Sequence, residues 1–275
     1  MRTGRWAEPA GRQGWRSSPL SDLVRRARLG RIRPHDVWDI GIGLVVFGGY
    51  LAVAARTRSQ VPRANAYARR VAAAERWLGL SLERAANRWT AAHPVVTTIA
   101  NYDYALGYLA STLGILGWLR AGGRPDYVRH EVSLLAINAV AVAMFAVCPV
   151  TPPRLLADAG FVDTVKDGHT VGSWGSAMIS ATANEHAAMP SLHVAWTTWV
   201  AATLAAQGAP LWLRRTAVLQ VCTTTAVIVM TGNHWLLDAA AGAIVATVVD
   251  RAVGTGFRAG SRLERVRRCD RRTGR

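Results

Sequence analysis

Two residues four positions apart stand out as groups that could carry nucleophilic chemistry. His234 and Asp238 lie in the segment TGNHWLLD, so a helix would place them on one face. A carboxylate in that position accepts a proton from one imidazole nitrogen, which fixes the tautomer and leaves the other nitrogen able to attack. The spacing therefore predicts an oriented, nucleophilic His234. A structural His–Asp pair that holds a helix end is the alternative.

A second histidine follows a helix-start pattern in the segment MPSLH. Pro190 suits the first turn of a helix because its missing N–H costs nothing there. The backbone N–H groups of such a start, together with Ser191, would bind an anion. His193 then lies in the first turn, where it could protonate a leaving alkoxide. The alternative is an ordinary helix start with an interfacial histidine.

An arginine completes the set of candidate residues. Arg154 follows Pro152 and Pro153, and a guanidinium matches two phosphate oxygens at once. An anion-binding helix start, an oriented nucleophile, an acid and an arginine make up a complete set for phosphoryl transfer. Such a site requires neither Mg²⁺ nor another cofactor, because the arginine and N–H groups hold the charge.

The elements that must position these residues are long apolar blocks. Of the 275 residues, 51% are hydrophobic, and the mean hydropathy is +0.13. The charges collect between the blocks and at the ends, which is typical of membrane proteins. We predict an all-α integral membrane bundle of about six transmembrane helices. They cover residues 37–55, 94–118, 131–149, 190–207, 211–231 and 235–250.

Residues 64–90 have a different pattern. Apolar residues recur there at intervals of three and four, interrupted by charged residues, which predicts one amphipathic helix on the bilayer surface. The chain thus divides into a disordered basic leader (1–36), a transmembrane domain (37–253, with its motifs in 94–250) and a basic tail (254–275).

Arginines in the short loops predict the orientation. Arg120, Arg124 and Arg129 separate the second and third spans, and Arg214 and Arg215 separate the fourth and fifth. These loops and both termini are expected in the cytoplasm. The segments that carry Arg154, His193 and His234 then all lie on the outer side of the plasma membrane.

The net charge of +16 first suggests a nucleic-acid partner. The arginines, however, form no stripe interleaved with base-stacking aromatics. They flank apolar spans, so basic tails beside a lipid surface explain them better. We expect a membrane and a lipid phosphate or phospholipid as partners, and no nucleic acid.

At this point the sequence resembles a known family. MPSLHVAW, TGNHWLLDAAAG some forty residues later and PPRLL upstream look like the type 2 phosphatidic acid phosphatase superfamily. They look most like the branch that includes inositol phosphorylceramide synthases. The resemblance implies a phosphohistidine on His234, with Asp238 as its partner, His193 as general acid and Arg154 as phosphate ligand. Ser191, Leu192 and Asn233, which flank the two histidines, are taken as further substrate-binding residues.

The sequence departs from the common phosphatase pattern at three positions. Val147 stands where that pattern has a lysine, Ile228 where it has an arginine, and Leu192 where it has a glycine. The loss of two cations fits the synthase-like branch better than a phosphatase of soluble substrates. Lys166, in the same outer loop as Arg154, is a candidate replacement.

Two readings from other classes remain open. His186, His193, His234 and Asp238 could hold Zn²⁺ in a metal-dependent membrane hydrolase. The polar helix ends could instead line a path in a non-catalytic transporter or scaffold, with Asp103 as a further intramembrane acid.

Overall fold

The computed structural model describes residues 34–124, 126–157, 159–167 and 185–273. It is helical, with one isolated parallel bridge between Val150 and Ala187. The helices are α1 (Pro34–Thr57), α2 (Val61–Trp77), α3 (Glu83–Ala91), α4 (Pro94–Tyr102), α5 (Tyr108–Ala121), α6 (Tyr127–Val147), α7 (Thr164–Asp167), α8 (Leu192–Ala206), α9 (Leu211–Met230) and α10 (Leu236–Thr273). A π-helical turn, Asp103–Gly107, joins α4 to α5. The predicted all-α class is thereby confirmed.

Helices cover all six predicted spans. By length and composition, two helices of the described chain could cross a membrane, namely α6 and α9. Helix α8 has 15 residues, fewer than the ~20 that a span needs. Helix α10 continues far beyond residue 250, where we expected the last span to end. Residues 1–33 of the predicted leader lie outside the described residues.

The predicted amphipathic helix is in fact two helices. Helix α2 ends at Trp77, and Gly79 has a φ of 71°, a left-handed conformation that ends helices and favours glycine. Leu78 and Leu82 continue the apolar spacing through this turn, so periodicity alone does not show the break. Our prediction of one helix over 64–90 was therefore wrong at its centre.

Helix α8 lies at the centre of the bundle and packs against α5, α6, α9 and α10. Its Trp199 is fully buried in a core with Ile137 of α6 and Ala246 of α10. The Trp199 indole donates a hydrogen bond to the His130 carbonyl oxygen at 3.1 Å. The element that carries His193 is thus held on several sides.

A polar cluster ties the helices together at the end opposite to His193. Arg129 of α6 forms an ion pair of 2.8 Å with Asp250 of α10, and Ser133 donates to the same carboxylate at 2.8 Å. Asp250 follows Asp238 by twelve residues, which corresponds to about 18 Å along the helix. The bundle therefore has two polar ends separated by an apolar middle.

Candidate active site

Three distant segments meet at one end of the bundle through backbone hydrogen bonds. Arg154 N–H donates to the Gly232 carbonyl at 3.0 Å, and Ser191 N–H donates to the Asp238 carbonyl at 2.9 Å. Beside them, Val150 N–H donates to the His186 carbonyl at 2.9 Å. These bonds bring the three predicted motifs together, as the sequence led us to expect.

His234 is held by two acceptors on the same nitrogen. Its Nδ1 lies 2.8 Å from the Ala188 carbonyl oxygen and 3.5 Å from Asp238 Oδ2. A carbonyl oxygen can only accept, so the short contact places the proton on Nδ1 and leaves Nε2 as the basic nitrogen. The sequence predicts this orienting role for Asp238, whereas the structure gives the shorter bond to the Ala188 carbonyl.

Asp238 has a second contact that fixes its position. Its side chain is fully buried, and Oδ2 accepts the Trp235 N–H at 2.9 Å. The carboxylate therefore caps the first turn of α10 while it lies beside the His234 imidazole. Its negative charge would stabilise an imidazole ring that becomes positively charged during a reaction.

His193 faces His234. The two ring centroids lie 5.5 Å apart and the rings meet edge to face. Tyr104 stacks on His193 at 4.5 Å, and the Tyr108 ring lies 4.2 Å from it. The imidazole is thus confined between two tyrosines and a second histidine, and its Nδ1 is buried.

Two tyrosines at the π-helical turn reach the same histidine. Tyr104 and Tyr108 lie four residues apart, so both rings project from one helical face and contact His193. Asp103 lies in the same turn, and a Cβ on Gly107 would overlap its carboxylate. The Asp103 carboxylate therefore lies against the backbone of its own turn, next to Gly107. Sequence reasoning missed the tyrosines because their helical spacing is equally typical of core packing.

Arg154 is anchored by two side chains. Its Nε donates to Asn233 Oδ1 at 2.8 Å, and its Nη1 donates to Asp163 Oδ2 at 2.7 Å. Asn233 in turn donates to Thr231 Oγ1 at 2.8 Å. The guanidinium is therefore fixed next to the residue that precedes His234. Asp163 was not predicted, because it lies in the loop without a motif.

The helix start at Ser191 differs in detail from its predicted role. Ser191 Oγ accepts the Val194 N–H at 3.5 Å, and its own N–H already serves the Asp238 carbonyl. Leu192 packs on the bundle core. Both groups of Ser191 have protein partners, so an anion would have to use other N–H groups of this turn. Substrate binding by these two residues stays a prediction.

The positions that lack the usual cations lie in different surroundings. Val147 is 67% exposed, and its carbonyl oxygen accepts a bond of 2.7 Å from Arg63. Ile228 is fully buried between Val194 and Ala239. The Lys166 side chain is exposed, and the backbone N–H of Lys166 donates to Asp163 Oδ1 at 3.1 Å. A guanidinium at position 228 would therefore start from a buried, apolar cluster.

His186 lies in the wall beside the site. Its imidazole contacts Thr151 Oγ1 at 3.2 Å, and burial lowers its pKa. Thr151 in turn donates to Asn65 at 2.7 Å. Within the described chain, no three His, Cys, Asp or Glu side chains form a group that could hold a metal ion. The structure therefore does not assemble the zinc ligand set considered above.

Comparison with known proteins agrees with the motifs. A family model described as the PAP2 superfamily matches residues 69–250, more than half of the chain. No curated protein and no solved structure matches. The chain belongs to the PAP2 superfamily, whose members are phosphatases and phosphotransferases. Our resemblance is thus confirmed for the superfamily, and a phosphoric-ester activity follows from it.

Proposed function

We propose that the protein is a membrane lipid-phosphate phosphatase or phosphotransferase that forms a phosphohistidine on His234. The observation that carries the proposal is the pairing of His234 with His193 at 5.5 Å, with Nδ1 of His234 bound to the Ala188 carbonyl. This arrangement leaves one nitrogen of His234 as nucleophile and puts a second imidazole beside it. Arg154, fixed next to Asn233, supplies positive charge for the phosphate.

The chemistry would take place in two steps. His234 Nε2 attacks phosphorus, the bond from phosphorus to the leaving oxygen breaks, and protonated His193 gives its proton to that oxygen. Neutral His193 then takes a proton from water or from an alcohol, whose oxygen attacks the phosphohistidine and releases His234. Water gives hydrolysis and an alcohol gives transfer.

A lipid substrate is supported by the outer surface of the bundle. Large apolar side chains are exposed on several helices, among them Leu44 (65%), Trp212 (67%) and Ile244 (62%). Such extensive apolar exposure is unfavourable in water and favourable in a bilayer. We propose that the chain spans the plasma membrane several times, with both termini in the cytoplasm and the site at the outer face.

Helices α2 and α3 add a second observation in favour of a membrane. They expose Trp77 (85%) and Trp89 (53%) beside the exposed Arg76 and Arg88, and the turn between them exposes Leu82 (67%). Exposed tryptophans next to arginines are typical of helices at a membrane–water interface. The apolar side would lie in the lipid interface beside the entrance to the site.

Within the superfamily, we propose a place near the inositol phosphorylceramide synthase branch. Val147 and Ile228 replace the two cations of the common phosphatase pattern, and Ile228 is buried in apolar surroundings. A transferase of this kind would pass a phosphorylated head group from a phospholipid to an alcohol. Product analysis with and without a long-chain alcohol separates transfer from hydrolysis.

The direct test is to trap the covalent intermediate. Purified protein in detergent is incubated with radiolabelled lipid phosphates, and the label on the protein is measured after alkaline denaturation, which preserves phosphohistidine. We expect label on the wild type and none on His234→Ala. His193→Ala should lower the rate of labelling by about 10²- to 10⁴-fold, the usual contribution of a general acid.

His93→Ala is the matched control. His93 is exposed between α3 and α4 and bonds to the Trp89 carbonyl at 2.6 Å, away from the two catalytic candidates. It should label as the wild type does. Label that persists on His234→Ala would remove the assigned nucleophile.

A further inference from the structure

Two buried carboxyl groups lie next to the site without a role in the chemistry proposed above. Glu75 of α2 is 1% exposed, and Glu83 of α3 is 3% exposed. Burial of a charged carboxylate is unfavourable unless the group is bonded or protonated. The surroundings of this pair therefore define its protonation.

Glu75 binds the helix that carries the His–Asp pair. Its Oε1 accepts the Leu237 N–H at 2.7 Å. Leu237 is the second residue of α10, and its N–H is one of the groups at a helix start that lack a partner within the helix. Asp238 takes the neighbouring Trp235 N–H, so two carboxyl groups from different elements cap this turn.

The two glutamates face one another. Glu75 Oε2 and Glu83 Oε1 are both buried and accept no hydrogen bond from an N–H or O–H group of the described residues. The two side chains lie within hydrogen-bond reach of each other, and a single proton between them would satisfy both oxygens.

The electrostatic setting also favours a bound proton. Burial first, and then the hydrogen bond to Glu83 and the charges of Glu83 and Asp238, raise the pKa of Glu75 to about 8, against the lowering effect of the bond from Leu237. These acids are the charged groups that face Glu75 from α3 and from α10. Loss of the proton would leave neighbouring negative charges in a buried place, which is strongly unfavourable.

We propose that Glu75 holds a proton that it shares with the Glu83 carboxylate, and that this singly protonated pair positions the start of α10, and with it His234 and Asp238, for the reaction. The inference rests on the proposed function for its effect on turnover, but the shared proton itself does not. When the proton is lost to solvent at alkaline pH, the two carboxylates repel each other and the helix start shifts. Glu75 and Glu83 are thus positioning residues that set the alkaline limit of activity.

Glutamine and alanine at position 75 separate this role from a general structural one. Glu75→Gln keeps an oxygen for Leu237 N–H and offers an N–H to Glu83, so it imitates the protonated acid at every pH. Glu75→Ala removes both bonds. We expect kcat to fall about 10-fold or more in Glu75→Ala, in keeping with the loss of a buried hydrogen bond to a reacting turn. Glu75→Gln should rescue most of that loss.

The pH profile gives the sharper prediction. In the wild type, kcat should decline as the pH rises through about 8, where the pair ionises. In Glu75→Gln this alkaline decline should move to higher pH, with little change in KM. Glu131→Gln is the matched control, because Glu131 is a buried acid at the opposite end, bonded to Tyr127 at 2.9 Å. Its profile should follow the wild type.

Infrared difference spectra between about pH 6 and about pH 10 test for the shared proton independently of enzyme activity. The wild type should show the carbonyl band of a protonated carboxyl at the lower pH, and Glu75→Gln and Glu83→Gln should each lose it. If the band and the alkaline decline are the same in Glu75→Gln as in the wild type, the proposal is overturned. A band lost in both variants of a protein that turns over no lipid phosphate would support the shared proton and overturn the proposed function.

Discussion

His234 has two acceptors for a single Nδ1–H, and this determines what Asp238 contributes. The Ala188 carbonyl at 2.8 Å holds the tautomer, whereas Asp238 at 3.5 Å supplies negative charge. Asp238→Asn should therefore leave the imidazole oriented and lower kcat by about 100-fold, the low end of what an acid–base partner contributes. Initial rates with a lipid phosphate measure this effect. A variant as inactive as His234→Ala would mean that Asp238, and not Ala188, orients the nucleophile.

Arg154 gives a prediction about binding. Its Nε and Nη1 bond to Asn233 and Asp163, so the fork is held in one orientation. Arg154→Lys keeps the charge and loses the fork, and we expect kcat/KM to fall about 10- to 100-fold, equivalent to one or two charged hydrogen bonds. Asp163→Asn should have a smaller effect in the same direction, mainly on KM. Equal activity of Arg154→Lys and wild type would remove Arg154 from the phosphate site.

The raised pKa of Glu75 also makes the stability of the folded protein depend on pH. The pKa of Glu75 is raised to about 8 from 4.5, so the folded protein binds this proton more tightly than the unfolded chain. Its stabilising contribution is complete below about pH 4.5 and is lost as the pH rises to about 8. The Tm of Glu75→Gln should thus exceed that of the wild type increasingly between these values. A constant difference in Tm over this range would contradict the raised pKa.

Sequence reasoning found the residues whose signal is local. His234 and Asp238 lie one helical turn apart, and His193 follows a proline at a helix start, so spacing alone marks them. Tyr104 and Glu75 reach the site from segments far away in the chain, and Asp163 reaches it from the loop nine residues after Arg154. Their neighbours along the sequence carry no pattern that points to the site, and only the packing of helices brings them there.

At the scale of elements, the approach of α8 and α10 depends on one glycine. A Cβ at Gly242 would overlap the Ser191 carbonyl oxygen, which lies at the start of the helix that carries His193. Gly242→Ala should push the two helices apart, with a loss of about 1–3 kcal/mol in stability and a marked loss of activity. Thermal unfolding and initial rates measure the two effects.

Gly256→Ala is the control for that substitution. Gly256 lies in the same helix, and no atom lies within 4 Å of its would-be Cβ. Alanine there should be neutral or stabilise by up to about 1 kcal/mol, because it favours the helix. If the two variants behaved alike, the close approach at Gly242 would not limit the geometry of the site.

The elements differ in how well their pattern predicted them. Helices α6 and α9 are long and apolar, and their predicted bounds agree with the structure within a few residues. In the segment 64–90, periodicity correctly gave helix but could not show the break at Gly79. Glu75 and Glu83 turn toward the bundle, whereas arginines of the same helices, such as Arg76, stay exposed. Helical periodicity shows which residues share a face but not which charged residues are buried.

At the scale of the molecule, the two polar ends have different compositions. One holds the two histidines, Asp238 and Arg154; the other holds the Arg129–Asp250 pair and arginines such as Arg124, which donates to Gln207 at 3.2 Å. Arginine-rich loops favour the cytoplasm. In the topology proposed above, the two ends face opposite sides of the membrane.

Cysteine labelling in intact cells tests this orientation. In a variant without the native cysteines, Glu185→Cys would lie at the end with the histidines and Arg214→Cys at the start of α9, where both native side chains are exposed. If the site faces outward, a membrane-impermeant maleimide should label Glu185→Cys in intact cells and Arg214→Cys only after permeabilisation. The reverse pattern would place the site in the cytoplasm and show that the loop arginines do not set the topology. Labelling of both positions in intact cells would contradict a bundle that separates its two polar ends by a bilayer.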